Sequence, residues 1–121
     1  MLTETELELM SILWKLGEGT VSDVQRLLPQ ERALAYTSIS TILRILEQKK
    51  VVKTRKEGRG HIYIPLLKKE AYEARAVRHV VDRVFDGAPV GLVRQLLTSV
   101  KLKEKEWEQI KALIEGAEER T

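Results

Sequence analysis

The sequence contains no cysteine, and this absence excludes several kinds of chemistry at once. Disulfide bonds, thiolate zinc sites and cysteine nucleophiles all require a thiol. The two histidines, His61 and His79, fall in different predicted elements without companions at metal-ligand spacing, so we expect no metal site. We also expect no cofactor and no enzymatic activity, because the chain has neither a glycine-rich phosphate loop nor a nucleophile with a base beside it.

Long apolar runs are missing as well. No stretch approaches the roughly eighteen residues that span a bilayer. The N-terminus, MLTETELELM, is acidic where a secretory signal would be basic and then apolar. We therefore expect a cytoplasmic protein with no membrane partner. A chain of 121 residues fits one small domain plus an accessory segment that is too short to bury a good core alone.

The formal net charge is only +3, but positive charge is concentrated in one segment. Between Arg44 and His61, seven Lys or Arg residues stand against two glutamates, which gives a local charge of +5. Such a basic strip on a nearly neutral chain indicates a site for a polyanion. The alternative interpretation is a charged surface that is merely solvated.

Three short amphipathic helices are predicted in the first half of the chain. Thr3 with Glu6, and Thr20 with Asp23, match the capping box that marks a helix start. The third helix lies within AYTSISTILRILEQKK, residues 35–50. The apolar residues at helical spacing predict a core face for each helix. These faces are Leu7, Leu9, Met10, Leu13, Trp14 and Leu16; Val21, Val24, Leu27 and Leu28; and Ile39, Ile42, Leu43 and Leu46.

The hydrophobic period changes after the third helix. The segment VVKTRKEGRGHIYIPL alternates around a glycine-rich turn, with Val52 and Thr54 before the turn and Ile62 and Ile64 after it. This pattern predicts a β-hairpin. Three helices followed by a hairpin with a basic tip predict a winged helix-turn-helix domain, in which the third helix enters the major groove of DNA.

Hydroxyl side chains crowd the side of the third helix that faces away from its core. Short side chains allow close approach to DNA, and hydroxyls contact phosphates or base edges. A helix cap would explain Thr37 or Ser38, but not four hydroxyls. For Tyr36 a phosphate contact and a half-buried packing role both remain open, and Arg44 has either a guanine or a phosphate as its target. The predicted DNA contacts are Tyr36, Thr37, Ser38, Ser40, Thr41, Arg44, Arg55, Lys56 and Arg59.

Three further amphipathic helices are predicted after Lys69. In roughly fifty residues they cannot build a good core, so a second copy of the chain is the simplest partner. The alternative is a monomer in which they fold back on the first domain. We predict a DNA-binding domain over residues 1–67 and a helical dimerisation region over residues 68–121. The predicted dimerisation residues are Val77, Val81, Val84, Phe85, Val93, Leu96, Leu97, Trp107, Ile110 and Ile114.

Over nearly its whole length the chain resembles the penicillinase repressor family, which includes BlaI, MecI and CopY relatives. The resemblance lies in the order and spacing of LTETELELMSILWKLGEGTVSDVQRLL, AYTSISTILRILEQKKVV, EGRGHIYIPL and FDGAPVGLVRQLL. It implies a dimeric winged-helix transcriptional repressor that covers a palindromic operator in double-stranded DNA. It also implies recognition by Thr37, Ser38 and Ser40, the last of which is often Lys in relatives.

The chain departs from the family pattern in three places. Copper-responsive relatives carry C-terminal cysteines, which are absent here. Relatives that respond to β-lactams are cleaved at an Asn-Phe bond, where this chain has Gln95-Leu96. Lys103 stands where relatives begin the last helix with Ser or Thr, and its side chain cannot cap a helix. The resemblance therefore implies a type of regulator without fixing its inducing signal, for which a sensor protease is one candidate partner.

A competing interpretation is a winged helix that serves as a protein–protein interaction module without sequence-specific DNA binding. It predicts a neutral or apolar outer face on the third helix, whereas this chain has hydroxyls there and a basic hairpin. RNA binding is less well supported, because no aromatic residues line the basic strip for base stacking.

Overall fold

The computed structural model describes residues 1–120, with side chains up to residue 118. The elements follow the predicted order, and the predicted fold class, mainly α with a small β-hairpin, is confirmed. The chain divides into two compact units, residues 1–76 and the part that begins at Val77. The elements are α1 (Glu4–Leu16), α2 (Val21–Leu27), a 3-10 helix (Gln30–Arg32), α3 (Tyr36–Gln48), β1 (Val52–Glu57), β2 (Gly60–Pro65), α4 (Lys69–Val84), α5 (Pro89–Ser99) and α6 (Glu104–Arg120).

Both predicted capping boxes are present. The Glu6 N–H donates to Thr3 Oγ1 over 3.2 Å, and the Thr3 N–H donates to Glu6 Oε1 over 2.9 Å. Thr20 and Asp23 make the equivalent pair over 3.1 and 3.0 Å. The starts of α1 and α2 are therefore set by residues three positions apart, which is why the sequence alone located them.

The core of the first unit lies where α1, α2, α3 and the hairpin meet. Its fully buried side chains are Leu9, Met10, Leu13, Val24, Ile39, Leu43, Leu46 and Val52. Two predicted core residues are wrong: Leu27 is 51% exposed and Leu16 is 40% exposed. Each is the last residue of its helix. The backbone becomes extended after Leu27, so the neighbouring predicted core residue, Leu28, is buried while Leu27 is not. Ile12, which the prediction omitted, is also buried.

The hairpin has a two-residue turn that fixes its register. Val52 pairs with Pro65 and Thr54 with Tyr63, and paired residues share one face of the sheet. Tyr63, 4% exposed, is therefore the core residue of β2. Ile62 and Ile64, which mark the alternation after the turn in the sequence, pair with Arg55 and Lys53 and so lie on the face opposite Val52.

The hairpin is joined to the loop between α1 and α2 by a short bridge. The Gly19 N–H donates to the Tyr63 carbonyl over 3.0 Å, and the Tyr63 N–H donates to the Gly19 carbonyl over 2.7 Å. These two hydrogen bonds fix the base of the hairpin beside the start of α2.

The C-terminal end of α3 is tied to α1 by an ion pair between exposed Lys49 and buried Glu6. Lys49 Nζ lies 2.8 Å from both carboxylate oxygens of Glu6, which is buried. Burial would raise the pKa of Glu6, but hydrogen bonds from Lys49 and Thr3, with the Lys49 charge, outweigh it and lower that pKa. The Val51 N–H donates to the Leu46 carbonyl over 3.1 Å and closes the helix.

The chain before α3 is also tied to α1. In the 3-10 helix, Arg32 Nε donates to Glu8 Oε1 over 3.0 Å, and Arg32 Nη2 donates to Thr5 Oγ1 over 2.9 Å. The Arg32 contacts attach the chain before α3 to α1, and the Lys49–Glu6 ion pair attaches the end of α3 to α1. Because both ends of α3 are held against α1, one face of α3 is kept outward.

The first unit extends into the first turns of α4. Tyr72 is buried, and its ring lies 6.0 Å from that of Trp14. Trp14 Nε1–H in turn donates to the Leu67 carbonyl over 2.8 Å. A fragment intended to keep this packing must therefore include Tyr72 and should end near Ala76.

The second unit contains the rest of α4 together with α5 and α6. At the turn between α4 and α5, the Gly87 N–H donates to the Val81 carbonyl over 2.9 Å, with Gly87 in the left-handed region at φ 79°. Phe85 packs against Gly91, where an added Cβ would lie 2.9 Å from Phe85 Cδ1. Within the described residues, no helix has the length and apolar character needed to cross a membrane.

Candidate nucleic-acid interface

The hydroxyl groups of α3 are not used to cap the helix. Ala35 occupies the N-cap position and provides no side-chain hydrogen bond. Thr37, Ser38 and Thr41 are exposed, and the Thr41 hydroxyl donates to the Thr37 carbonyl over 2.9 Å. The capping explanation is therefore excluded, and these side chains stand on the outer face of the helix.

An open groove of about 470 Å³ lies between α3 and the hairpin. Tyr36, Ser40 and Arg44 line it from α3, and Arg59 and His61 line it from the hairpin. The structure thus brings together four predicted contact residues. Three of them are on α3, and the fourth, Arg59, is about fifteen or more positions away from them in the sequence. Its remaining lining residues are Thr20, Val21, Gly60 and Tyr63.

The groove carries positive charge without acidic side chains. None of the described residues that line it is Asp or Glu, and the described part of the chain offers no ion-pair partner to Arg44 or Arg59. Burial raises the pKa of the Tyr63 hydroxyl, and the charge of nearby Glu47 raises it further, so the phenol stays neutral at physiological pH. This combination of guanidinium groups and hydroxyls suits a phosphate backbone.

Arg55 is placed differently from the other predicted cations. It pairs with Ile62 across the hairpin and so lies on the face opposite Tyr63. Its Nη2 atom lies 2.8 Å from Glu18 Oε2 and 3.8 Å from Glu57 Oε2. The hydrogen bond to Glu18 and the Glu18 charge raise the pKa of Arg55. Arg55 is therefore engaged by carboxylates and does not line the groove.

Five lining residues of the groove were missed by the sequence prediction of DNA contacts, and three of them, Thr20, His61 and Tyr63, have polar side chains. His61 was considered only as a metal ligand. The hairpin register could have identified His61 as a groove residue. His61 lies two residues before Tyr63, so the two side chains share the face of the hairpin that turns toward α3. Lys56, the cross-strand partner of His61, is exposed on the same face.

The predicted dimerisation residues all lie in the second unit, and none of them is buried there. The helices of this unit leave their apolar stripes largely uncovered. The exposed members are Val77, Val84, Val93, Leu96, Trp107 and Ile114, and the half-buried members are Val81, Phe85, Leu97 and Ile110.

Two of the departures from the family pattern can be located in this unit. Gln95 and Leu96 lie inside α5, where the Ser99 hydroxyl donates to Gln95 Oε1 over 2.6 Å. At the start of α6, the Lys103 N–H donates to Glu106 Oε1 over 3.0 Å. The glutamate three residues later therefore satisfies one backbone group at a position whose own side chain cannot cap.

Comparison with known proteins identifies a family that matches nearly the whole chain. A family model described as Penicillinase repressor matches residues 2–116. The penicillinase repressor of Bacillus licheniformis is 24% identical over 114 residues, which cover 94% of this chain and 89% of that protein. The solution structure of the DNA-binding domain of the repressor BlaI is 28% identical with a TM-score of 0.53, over 60% of this chain and 88% of its own. A CopR repressor structure is 34% identical with a TM-score of 0.48, over 56% of this chain and 99% of its own.

Proposed function

The chain belongs to the penicillinase repressor family of transcriptional repressors, and from this premise we propose that it binds a palindromic operator as a homodimer. The observation that carries the proposal is the groove between α3 and the hairpin, which combines hydroxyls with two arginines that have no carboxylate partner among the described residues. A protein-interaction module would instead present a neutral or apolar face there.

We propose that α3 enters the major groove and that the hairpin lies along the adjacent backbone. Thr37, Ser38 and Thr41 on the outer face of α3 would meet base edges, because short hydroxyl side chains permit close approach. Arg44 and Arg59, on opposite sides of the groove, would contact phosphates and so fix the register of α3 on the duplex.

The proposal of a homodimer rests on the exposed apolar stripes of the second unit. Val84 and Leu113 are each more than 60% exposed, and exposed apolar surface of this extent is typical of an association site. A second copy of the same helices would cover it with a closed two-fold interface, which matches the symmetry of a palindrome.

Release from the operator is proposed to follow a signal that separates the two copies, with proteolysis of the dimerisation region as one candidate. Gln95-Leu96 lies within α5, so cleavage at this bond would require local unfolding of the helix.

The proposed function is tested by footprinting on DNA upstream of genes that the protein regulates. We expect protection of an inverted repeat whose half-sites lie about one helical turn apart, roughly 10 base pairs, because one dimer presents two copies of α3. Protection of a single asymmetric half-site by the intact protein would contradict binding as a dimer.

A second prediction compares two arginines of the hairpin. Arg59→Ala should weaken binding to operator and random DNA alike and should reduce the slope of log K against log salt by about 1 for each groove of the dimer, because each groove loses a phosphate contact. Arg55→Ala should change this slope less, since Glu18 already holds that guanidinium.

Fluorescence anisotropy titrations of both variants across a salt series measure the two slopes. Thermal unfolding of each variant checks that the hairpin is intact. Equal reductions in slope would show that Arg55 leaves Glu18 and contacts the backbone as Arg59 does.

A further inference from the structure

His61 is a residue of the groove to which the proposed mechanism assigns no role. It is exposed on the hairpin face that carries Tyr63, and it shares the groove with Arg44, Arg59 and the Ser40 hydroxyl. Within the described part of the chain its imidazole has no hydrogen bond and no ion pair. A ring placed among phosphate-binding groups and engaged by none of them is available to a ligand in the groove.

The charged groups around His61 leave it without a competing anion. Cations come from three neighbouring elements: Arg44 on α3, Lys56 on β1 and Arg59 in the turn. The nearby carboxylates are already engaged, since Glu47 accepts from the Thr54 hydroxyl over 2.8 Å, and Asp23 accepts from the Thr20 N–H and pairs with Arg26. The remaining titratable groups that line the groove are the phenols Tyr36 and Tyr63. Lys53, Arg55 and Glu57 of β1 lie on the opposite face of the hairpin, where Glu57 Oε2 is 3.8 Å from Arg55 Nη2.

We propose that His61 binds a backbone phosphate of DNA and that it does so most strongly as the imidazolium ion. This inference rests on the proposed function, since the phosphate is that of DNA seated in the groove. Imidazole groups change charge between about pH 5 and 8, and an adjacent anion favours the protonated form. DNA binding therefore takes up a proton at this position, and by linkage the affinity for DNA rises as pH falls.

The test uses the intact chain and a fluorescently labelled duplex of random sequence, roughly 30 base pairs or three helical turns long. A random duplex is sufficient because a phosphate contact does not depend on sequence. Affinity is measured at constant ionic strength from pH 8 to pH 5.5 for the wild type and for His61→Gln, His61→Lys and His79→Gln. The last variant is the matched control, because His79 is the other histidine of the chain and lies exposed on α4.

We expect wild-type affinity to increase by about threefold to tenfold per groove as pH falls over this range. His79→Gln should keep this increase and His61→Gln should lose it. His61→Lys should bind tightly across the whole range, because its charge does not change there. Thermal unfolding at each pH checks that all four proteins are folded.

Identical pH dependence in the wild type and His61→Gln would overturn the inference and leave the proposed function intact. A failure of the folded wild type to bind the duplex at any pH would also overturn this inference, whereas the proposed function is decided separately by the operator footprint.

Discussion

A fragment that ends at Ala76 is expected to stay folded and to bind the operator about 10²-fold to 10⁴-fold more weakly than the intact chain. It retains the whole core of the first unit, including Tyr72 against Trp14, and it retains the groove. It lacks the exposed apolar stripes of α5, α6 and the later part of α4. In the proposed dimer, binding of the second half-site is intramolecular, whereas two separate fragments must bind independently.

The measurement combines sedimentation velocity with operator titration for the intact chain and for residues 1–76. Circular dichroism and thermal unfolding of the fragment check that it is folded. A random duplex serves as the control, since the loss there should be smaller when no pair of half-sites is available. A folded fragment that binds the palindrome as tightly as the intact protein would show that the second unit does not make the repressor bivalent.

The second large effect is expected from Leu43→Ala on α3. Leu43 is 0% exposed and lies among the core residues of the first unit, so its truncation leaves a cavity as well as removing apolar contacts. The free energy of unfolding should fall by about 2 to 5 kcal/mol, against a total of about 5 to 15 kcal/mol for a typical domain. Because α3 also presents the hydroxyl face, operator binding should disappear at temperatures where the variant unfolds.

Ile45→Ala is the matched control, because Ile45 lies two residues away on the same helix and is 37% exposed. Its cost should stay below about 1 kcal/mol. Denaturant titrations of both variants at one fixed protein concentration give the comparison, since dimerisation would otherwise contribute to apparent stability. Equal losses for the two variants would contradict the assignment of the buried face of α3.

The positions of the helices and the hairpin were predictable because they depend on residues close in sequence. Each capping box joins groups three residues apart, and the two-residue turn acts on the strands directly beside it. The hydroxyl-rich outer face of α3 followed from helical periodicity alone, since Ile39 and Leu43 determine which side is buried.

The partners of individual side chains were decided only by the tertiary structure. Seven basic residues between Arg44 and His61 look alike in sequence, yet Arg59 lines the groove, Arg55 pairs with Glu18 and Lys49 pairs with buried Glu6. Glu18 and Arg55 are 37 positions apart, and Glu6 and Lys49 are 43 positions apart. Spacing in the sequence carries no information about such pairs.

The sequence by itself determined that this chain forms three helices, a basic hairpin and a further set of amphipathic helices, and it indicated the family. The tertiary structure decided that Tyr63 rather than Ile62 or Ile64 enters the core, and that His61 consequently faces Arg44 across the groove. The physical reason is that strand alternation fixes which residues share a face, whereas only packing against α1 and α3 selects the face that is buried.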